Sequence, residues 1–272
     1  MKFRTVTIFI GTLVLCILIH AESQPESHLP AMGYAFTRGP STPSGAAQAE
    51  QVESALDQRL STLANVVCHE QIARYTLRGK TTSQKDTLDV NVEVQNGIEK
   101  YSQIRLKQKS FQDMQKLPGT WSVGEMATLL SATRDAIQLG QARVSQEELT
   151  DLGRSVVMEF AYPASSRRWY LKANSRVHWL PFEGRVWTSP ETGDIRRISW
   201  LANDLPTESG VAQVYWTVDF SPVDLSALVV TLPQKAVFQV TYKNGADNVD
   251  WNVTQFSEYR RFSADSAIHF EE

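Results

Sequence analysis

The sequence predicts an α+β fold in which a large, curved antiparallel sheet wraps around one or two helices and is preceded by an N-terminal helix. From Ser155 onward, eight segments rich in β-branched and aromatic residues are separated by Pro, Gly, Asn or Asp. Two earlier segments place apolar residues at helical spacing. Apolar residues make up 42% and charged residues 21% of the 272, which is enough apolar material for a globular core.

The N-terminus has the pattern of an export signal. Lys2 and Arg4 precede an uncharged, mostly apolar run over residues 5–19, and the small residue Ala21 suits a cleavage position. Cleavage there would remove residues 1–21 as a signal peptide and give a periplasmic or secreted protein. The alternative is an uncleaved anchor, because the run is only a little shorter than the roughly 20 apolar residues of a membrane-spanning helix.

The mature chain would be acidic and would contain one cysteine. Loss of two N-terminal basic residues changes the formal net charge from −3 to −5, and no basic stripe is visible, so nucleic acid is not an expected partner. Loss of Cys16 leaves Cys68, which excludes an internal disulfide. Cys68, His69 and Glu70 are adjacent, but neighbouring residues of a strand point to opposite faces. The chain also lacks CxxC and HxxxH spacing, so we expect neither a metal nor a cofactor.

Residues 22–45 are rich in Pro, Ser, Gly and Ala, which predicts a flexible tether, and residues 46–272 are predicted to form a single β-rich domain. The first element of that domain is a helix. Its apolar stripe, which should pack against the rest of the domain, consists of Ala49, Val52, Leu56, Leu60 and Leu63.

A β-hairpin and a second helix follow. TLDVNVEVQNGIEKYSQIRL alternates apolar and polar residues around a turn at Asn-Gly, and in that register Glu93 faces Lys100. Within GTWSVGEMATLLSATRDAIQLG, Ser122 and Glu125 have the spacing of a capping box directly before the apolar residues. A weaker box at residues 145–148 leaves a short turn and a strand equally open.

The later strands are SVVMEFAY, RRWYLKANSRVHW, GRVWTS, DIRRISWL, VAQVYWTVDF, SALVVTL, KAVFQVTYK and VDWNVTQFSEYRRF. With the earlier hairpin they predict one continuous antiparallel sheet of roughly nine to eleven strands, which is large enough to curl. A curled sheet needs something to wrap around, and the two helices carry the apolar stripes that can fill it.

GRVWTSPETGDIRRISW, residues 184–200, could be either a catalytic site or a turn between two strands. A proline and Gly193 supply turn geometry. A nucleophilic Ser189 would need a base, and this hairpin contains no histidine. His178 or His69 could approach only through the fold. We therefore interpret the stretch as a polar hairpin loop and do not expect an enzyme, with a hydrolase as the third-ranked alternative.

Between residues 153 and 200 the chain carries a recognisable order of elements: Gly153-Arg154, SVVMEFAYP ending at Pro163, RWYLKA, Trp187, Thr192-Gly193 and IRRI. This order resembles the periplasmic lipoprotein-carrier and sigma-factor-regulator superfamily, in a secreted bacterial branch. The resemblance implies an incomplete β-barrel closed over helices, with an apolar concavity that holds acyl chains or peptide segments.

Six of the seven tryptophans fall on predicted strands. Because each indole is bulky and carries an N–H that needs a partner, the set predicts either a thick core or an apolar concavity with partly open walls. Within such a concavity, the aromatic residues predicted to line a ligand site are Trp187, Trp200, Trp216 and Phe238.

The leading functional hypothesis is a non-catalytic exported protein that holds an acyl chain, a lipoprotein segment or a partner peptide in this concavity, with the helix after Ser122 moving to admit it. Its partner would be a lipid, a lipoprotein or an envelope protein, with peripheral or no membrane contact after signal cleavage. The alternative is a structural protein of the cell envelope that docks a partner through its sheet edge or N-terminal helix and has no pocket.

Overall fold

A computed structural model of the protein describes residues 43–95, 97–139, 142–166, 169–203, 205–225 and 228–261. The predicted signal peptide and residues 22–42 of the predicted tether lie outside the described residues. Two α-helices and thirteen strands occur in the described part of the chain. In chain order they are α1 (Pro43–Leu63), β1 (Val66–Arg78), β2 (Thr81–Gln95), β3 (Ile98–Leu106), β4 (Lys109–Phe111), α2 (Ala127–Gln138), β5 (Ala142–Thr150), β6 (Gly153–Tyr162), β7 (Tyr170–Ala173), β8 (Arg176–Trp179), β9 (Phe182–Thr188), β10 (Ile195–Ala202), β11 (Val211–Leu225), β12 (Leu228–Tyr242) and β13 (Asn248–Arg261).

Eleven strands form one antiparallel sheet, and β7 and β8 form a separate two-stranded sheet. The order in the large sheet is β4-β3-β2-β1-β13-β12-β11-β10-β9-β6-β5. β4 and β5 are therefore edge strands, and the curved sheet does not close into a barrel. The α+β fold predicted from the sequence is confirmed, with a large sheet of eleven strands.

Period-two alternation gives the sheet one apolar inner face. On β2, Leu88, Val90, Val92 and Val94 are all fully buried, and the residues between them are partly exposed. The register of β2 and β3 places Glu93 opposite Lys100, as predicted. From Leu88 to Val94, every second residue of β2 therefore contributes to one core.

Both helices pack onto this face. The predicted stripe of α1 is confirmed, because Val52, Leu56 and Leu63 are buried in the same core cluster as the inner face of the sheet. α2 packs against α1, β3 and β6. An ion pair between Arg59 and Asp194 ties α1 to the β9–β10 turn. Among the described residues, no helix is long and apolar enough to cross a membrane.

The start of α2 differs from the prediction. Ser122 Oγ donates a hydrogen bond to Glu125 Oε1 at 2.5 Å, but the helix begins only at Ala127 and this pair does not cap it. The cap comes from β3 instead, where Glu99 Oε1 accepts from the backbone N–H groups of residues 126–128 at 2.7–3.2 Å. The prediction of a local capping box was wrong because a carboxylate from another strand satisfies the orphan donors of the first turn.

Some predicted strands have different bounds. The described part of RRWYLKANSRVHW contains the β7–β8 hairpin rather than one strand, because Asn174 and Ser175 adopt φ angles of 50° and 62° and reverse the chain. The described part of SALVVTL and nearly all of KAVFQVTYK belong to one strand, β12. Pro233 is tolerated there because it pairs with Phe220, next to a register shift in β11. At residues 145–148, the strand is the alternative that forms.

Candidate functional site

Three of the four aromatic residues predicted to line a site lie side by side on the inner face. Trp200 on β10 pairs with Trp216 on β11, and Trp216 pairs with Phe238 on β12. Trp200 and Trp216 are buried, and Phe238 is partly buried. The ring centroids of Trp216 and Phe238 are 5.9 Å apart. We call Trp200, Trp216 and Phe238 the aromatic row.

Trp187 lies on the opposite face of the sheet. Gly184 of the same strand pairs with Trp200 on the inner face, and Trp187 is an odd number of residues further along β9. Its Nε1 donates to Glu148 Oε2 at 3.3 Å, and it pairs with Arg197. Trp187 is buried but does not share a surface with the aromatic row.

Trp169 completes the inner cluster, although the sequence does not single it out. Its ring centroid lies 5.2 Å from that of Trp200 and 4.9 Å from that of Trp216, the latter at an interplanar angle of 89°. Phe182 lies 6.0 Å away. Trp169 is partly buried and directly precedes β7, so it joins the hairpin to the aromatic row.

The β7–β8 hairpin has one inward and one outward face. Leu171 pairs with His178, and this pair faces the core, since Leu171 packs against the core cluster and His178 is buried. The tip is attached by the side chain of Asn174, whose Nδ2 donates to the backbone carbonyls of Glu208 and Ser209 at 2.9 and 3.4 Å. At the base, the backbone N–H of residue 180 donates to the carbonyl of residue 169.

Polar atoms around the aromatic row are incompletely paired. Trp216 Nε1, Trp169 Nε1 and His178 Nε2 are buried and have no hydrogen-bond partner among the described residues. Trp200 Nε1, by contrast, donates to Thr133 Oγ1 of α2 at 3.3 Å. A buried polar group without a partner lacks the hydrogen bond that it would make in water, so a bound molecule that supplies this bond is favoured. The region beneath the hairpin therefore holds apolar surface together with unused hydrogen-bonding groups.

The loop before α2 closes the other side of this region. Gly124 has a φ of +100°, and a Cβ there would lie 3.1 Å from Thr128 and 3.3 Å from Trp169. The close approach explains glycine at this position. The N-terminal end of α2, the aromatic row and the hairpin thus enclose Trp169.

Three carboxylates lie together on the inner face near the start of α2. Glu70 and Glu125 are buried, with Glu70 Oε1 and Glu125 Oε2 unpaired among the described residues. Glu99 is partly buried and is also hydrogen-bonded to the hydroxyl of Tyr101, which in turn accepts from the backbone N–H of Gly124 at 2.7 Å. Burial, with the neighbouring charge of Glu99, raises the pKa of Glu125 to about 8, and burial raises the pKa of Glu70 well above its usual range.

Neither Ser189 nor Cys68 is hydrogen-bonded to a histidine base among the described residues. Ser189 Oγ donates to Glu191 at 2.9 Å within the β9–β10 turn, and His178 Nε2 has no hydrogen-bond partner among the described residues. Cys68 is buried against Met126, and burial raises the pKa of its thiol, which disfavours the reactive thiolate. Within the described residues, no group of three or more His, Cys, Asp or Glu side chains has the arrangement of a metal site.

Comparisons with known proteins find similarity at the level of structure. No protein-family model matches the chain, and no curated protein matches its sequence. A crystal structure of a DUF1329 family protein from Desulfovibrio piger is similar over 83% of this chain and 96% of that one, with a TM-score of 0.42 and 10% identity. The crystal structure of the Mycobacterium tuberculosis lipoprotein LppX is similar over 79% of this chain and 95% of that one, with a TM-score of 0.28 and 13% identity.

Proposed function

We propose that this protein is a non-catalytic binding protein that holds an acyl chain, or the acylated segment of a lipoprotein, against the aromatic row beneath the β7–β8 hairpin. The observation that carries the proposal is the set of three buried nitrogens without partners around an apolar surface, at Trp169, Trp216 and His178. An amphipathic ligand would supply both the apolar contact and the missing hydrogen-bond partners.

The hairpin is a better entrance than α2. Three backbone N–H groups at the start of α2 are held by Glu99, whereas the hairpin tip is held through the side chain of Asn174. The hairpin also lies outside the large sheet and has only two strands. Small isolated hairpins are marginally stable, so this element can open while the sheet stays intact.

The energy balance favours a long acyl chain. Removing a fully buried tryptophan costs about 3–5 kcal/mol, which is an upper bound for withdrawing the partly buried Trp169, and each lost hydrogen bond at the tip costs about 1 kcal/mol. An acyl chain gains about 0.8 kcal/mol for each methylene that it buries, so about ten methylenes contribute about 8 kcal/mol. The burial of an acyl chain of this length offsets the free-energy cost of opening the hairpin, and the burial of a much shorter chain does not.

The polar end of the ligand is selected by the indole of Trp216. Its Nε1–H can donate to a carbonyl oxygen of an ester or amide that takes the place of the Trp169 ring. An acyl ester should therefore bind more tightly than an alkane of the same length. A buried donor that stays unpaired costs about 1–3 kcal/mol, which corresponds to a factor of about 5 to 150 in affinity.

Titration with acyl esters of increasing chain length tests the proposal. We expect the affinity to rise about fourfold for each added methylene until the site is filled. Trp216→Phe keeps most of the ring and removes the donor, so it should weaken ester binding about tenfold and leave alkane binding unchanged. The matched control is Trp251→Phe, since Trp251 stacks on Tyr75 on the outer face and should not affect either ligand.

Native mass spectrometry after gentle purification separates this function from docking without a pocket. A lipid that co-purifies with the wild type and is absent from the Trp216→Phe variant supports the proposal. A protein of unliganded mass that also fails to bind long acyl esters rejects it. That second result would favour docking through a sheet edge, where Leu149 of β5 is 85% exposed.

A further inference from the structure

The outward face of the β7–β8 hairpin is an exposed aromatic and cationic surface. Tyr170 pairs with Trp179 and Lys172 pairs with Val177, so the four side chains share one face. Tyr170 is 52%, Val177 51% and Trp179 39% exposed. The rings of Tyr170 and Trp179 contact each other edge to face at 5.4 Å. We call these four residues the outer patch.

Exposed apolar side chains are concentrated in this hairpin. In the described part of the chain, eight large apolar side chains are exposed, and three of them lie in residues 170–179. The other five are distributed over the start of β3, the end of α2, β5 and the start of β12. Single exposed apolar residues are ordinary, whereas an aromatic pair beside a further apolar side chain indicates an interaction surface.

The charge of the hairpin identifies the kind of partner. YLKANSRVHW contains Lys172 and Arg176 and no acidic residue, although the whole chain has a formal net charge of −3. The backbone carbonyl of Glu208 accepts from Asn174 at the hairpin tip, so the neighbouring loop brings one acidic residue to this end of the hairpin. Tryptophan and tyrosine with flanking lysine and arginine are the residue types that favour the interface of an anionic membrane.

We propose that the outer patch docks the protein reversibly onto an anionic lipid surface, with Trp179 and Tyr170 at the headgroup level and Lys172 against the lipid phosphates. The positive charge of the hairpin favours an anionic partner, and the exposed Tyr170–Trp179 pair beside Lys172 favours a lipid surface, because aromatic rings partition to the headgroup level of a membrane. The inference goes beyond ligand binding beneath the hairpin, because it uses the opposite face, and either one can fail without the other.

Vesicle co-sedimentation tests the inference. The probes are vesicles of phosphatidylcholine alone and of phosphatidylcholine with about 30% phosphatidylglycerol. We expect binding to the anionic vesicles that weakens when the salt concentration rises from about 0.02 M to about 0.5 M. All proteins compared carry the same N-terminus, so the contribution of the first 21 residues cancels between variants.

Two variants and their matched controls define the patch. Lys172→Gln should weaken the partition onto vesicles about fivefold, because it loses a contact with the lipid phosphates. Trp179→Ser should weaken it about tenfold or more, because it loses the aromatic ring at the membrane interface. Lys109→Gln on β4 changes an exposed lysine and Leu149→Ser on β5 an exposed large apolar residue elsewhere, and both variants should bind like the wild type. Glu208→Gln should strengthen binding, since it removes one negative charge from the loop that contacts the hairpin tip.

Several results would overturn the inference. The first is equal binding of the wild type to both vesicle compositions. The second is binding of both Lys172→Gln and Trp179→Ser that equals that of the wild type. The third is a loss of binding in the two control variants as large as that in the two patch variants. A protein that ignores vesicles but forms a dimer that Trp179→Ser abolishes would assign the patch to a second copy of the chain instead. Because all of these side chains are exposed, an unchanged unfolding midpoint verifies that each variant is folded.

Discussion

Replacing Glu125 with Gln should flatten the pH dependence of unfolding. Glu125 is buried, one of its oxygens is unpaired among the described residues, and its pKa is raised to about 8 by burial and by the charge of Glu99. In the folded state at neutral pH the carboxyl keeps its proton, whereas the unfolded chain releases it near the ordinary glutamate pKa of about 4.3. The neutral form is therefore the one that the core accommodates.

The sign and size of the effect follow from this shift. A raised pKa in the folded state contributes stability that is fully present below the unfolded pKa and is lost as the pH rises toward the folded pKa. One pKa unit corresponds to about 1.4 kcal/mol, so the shift to about 8 sets an upper bound of about 5 kcal/mol between the two limits. Gln is neutral at every pH and can still accept from Ser122.

Urea unfolding at several pH values from about 5 to about 8 measures this directly. The wild type should lose several kcal/mol over that range, and Glu125→Gln should lose about 2 kcal/mol less, with Glu70 responsible for part of the remaining slope. Glu183→Gln, which changes an exposed carboxylate, is the control and should follow the wild type. A slope in Glu125→Gln equal to that of the wild type would refute the assignment of a neutral buried carboxyl.

Three other predictions concern the elements around the site. Asn174→Gly keeps the positive φ of the hairpin tip but removes its side-chain bonds, so stopped-flow titration should show faster association of acyl esters without a loss of sheet stability. Glu99→Ala leaves the first donors of α2 unpaired and should lower the free energy of unfolding by about 1–3 kcal/mol, while moving the pKa of Glu125 toward its ordinary value in a titration followed by NMR. Gly184→Ala places a Cβ 2.1 Å from the Phe160 ring and should lower the unfolding midpoint in urea by the equivalent of about 1–3 kcal/mol. An unchanged midpoint for Glu99→Ala would contradict the capping argument, and an unchanged midpoint for Gly184→Ala would contradict the packing argument.

Local sequence patterns predict most of the sheet because period-two alternation is a property of each strand alone. The same alternation correctly predicts that Cys68 and Glu70 share one face of β1. The alternation does not predict which face of one strand lies on the same side of the sheet as a given face of the next strand, since that depends on the pairing register. For this reason the sequence groups Trp187 with Trp200, although the register of β9 and β10 separates them.

The hairpin and the cap of α2 escape prediction for different reasons. The Asn174-Ser175 turn has a local signal, because asparagine tolerates positive φ, but the apolar residues on both sides resemble one continuous strand. Because the segment is predicted as one strand, the sequence does not indicate that Trp169, directly before β7, joins the aromatic cluster. Glu99 caps a helix that begins 28 residues later, and no local pattern records such a contact.

The indole ¹⁵N–¹H resonance of Trp216 tests the central claim most directly. If the aromatic row receives an acyl ester beneath the hairpin, titration with a long-chain ester should shift this resonance downfield as the N–H acquires an acceptor, and an alkane of the same length should not produce that shift. The indole resonance of Trp251 on the outer face should stay in place during both titrations. A Trp216 resonance that is unchanged at ester concentrations that saturate the protein would contradict a ligand site at this position.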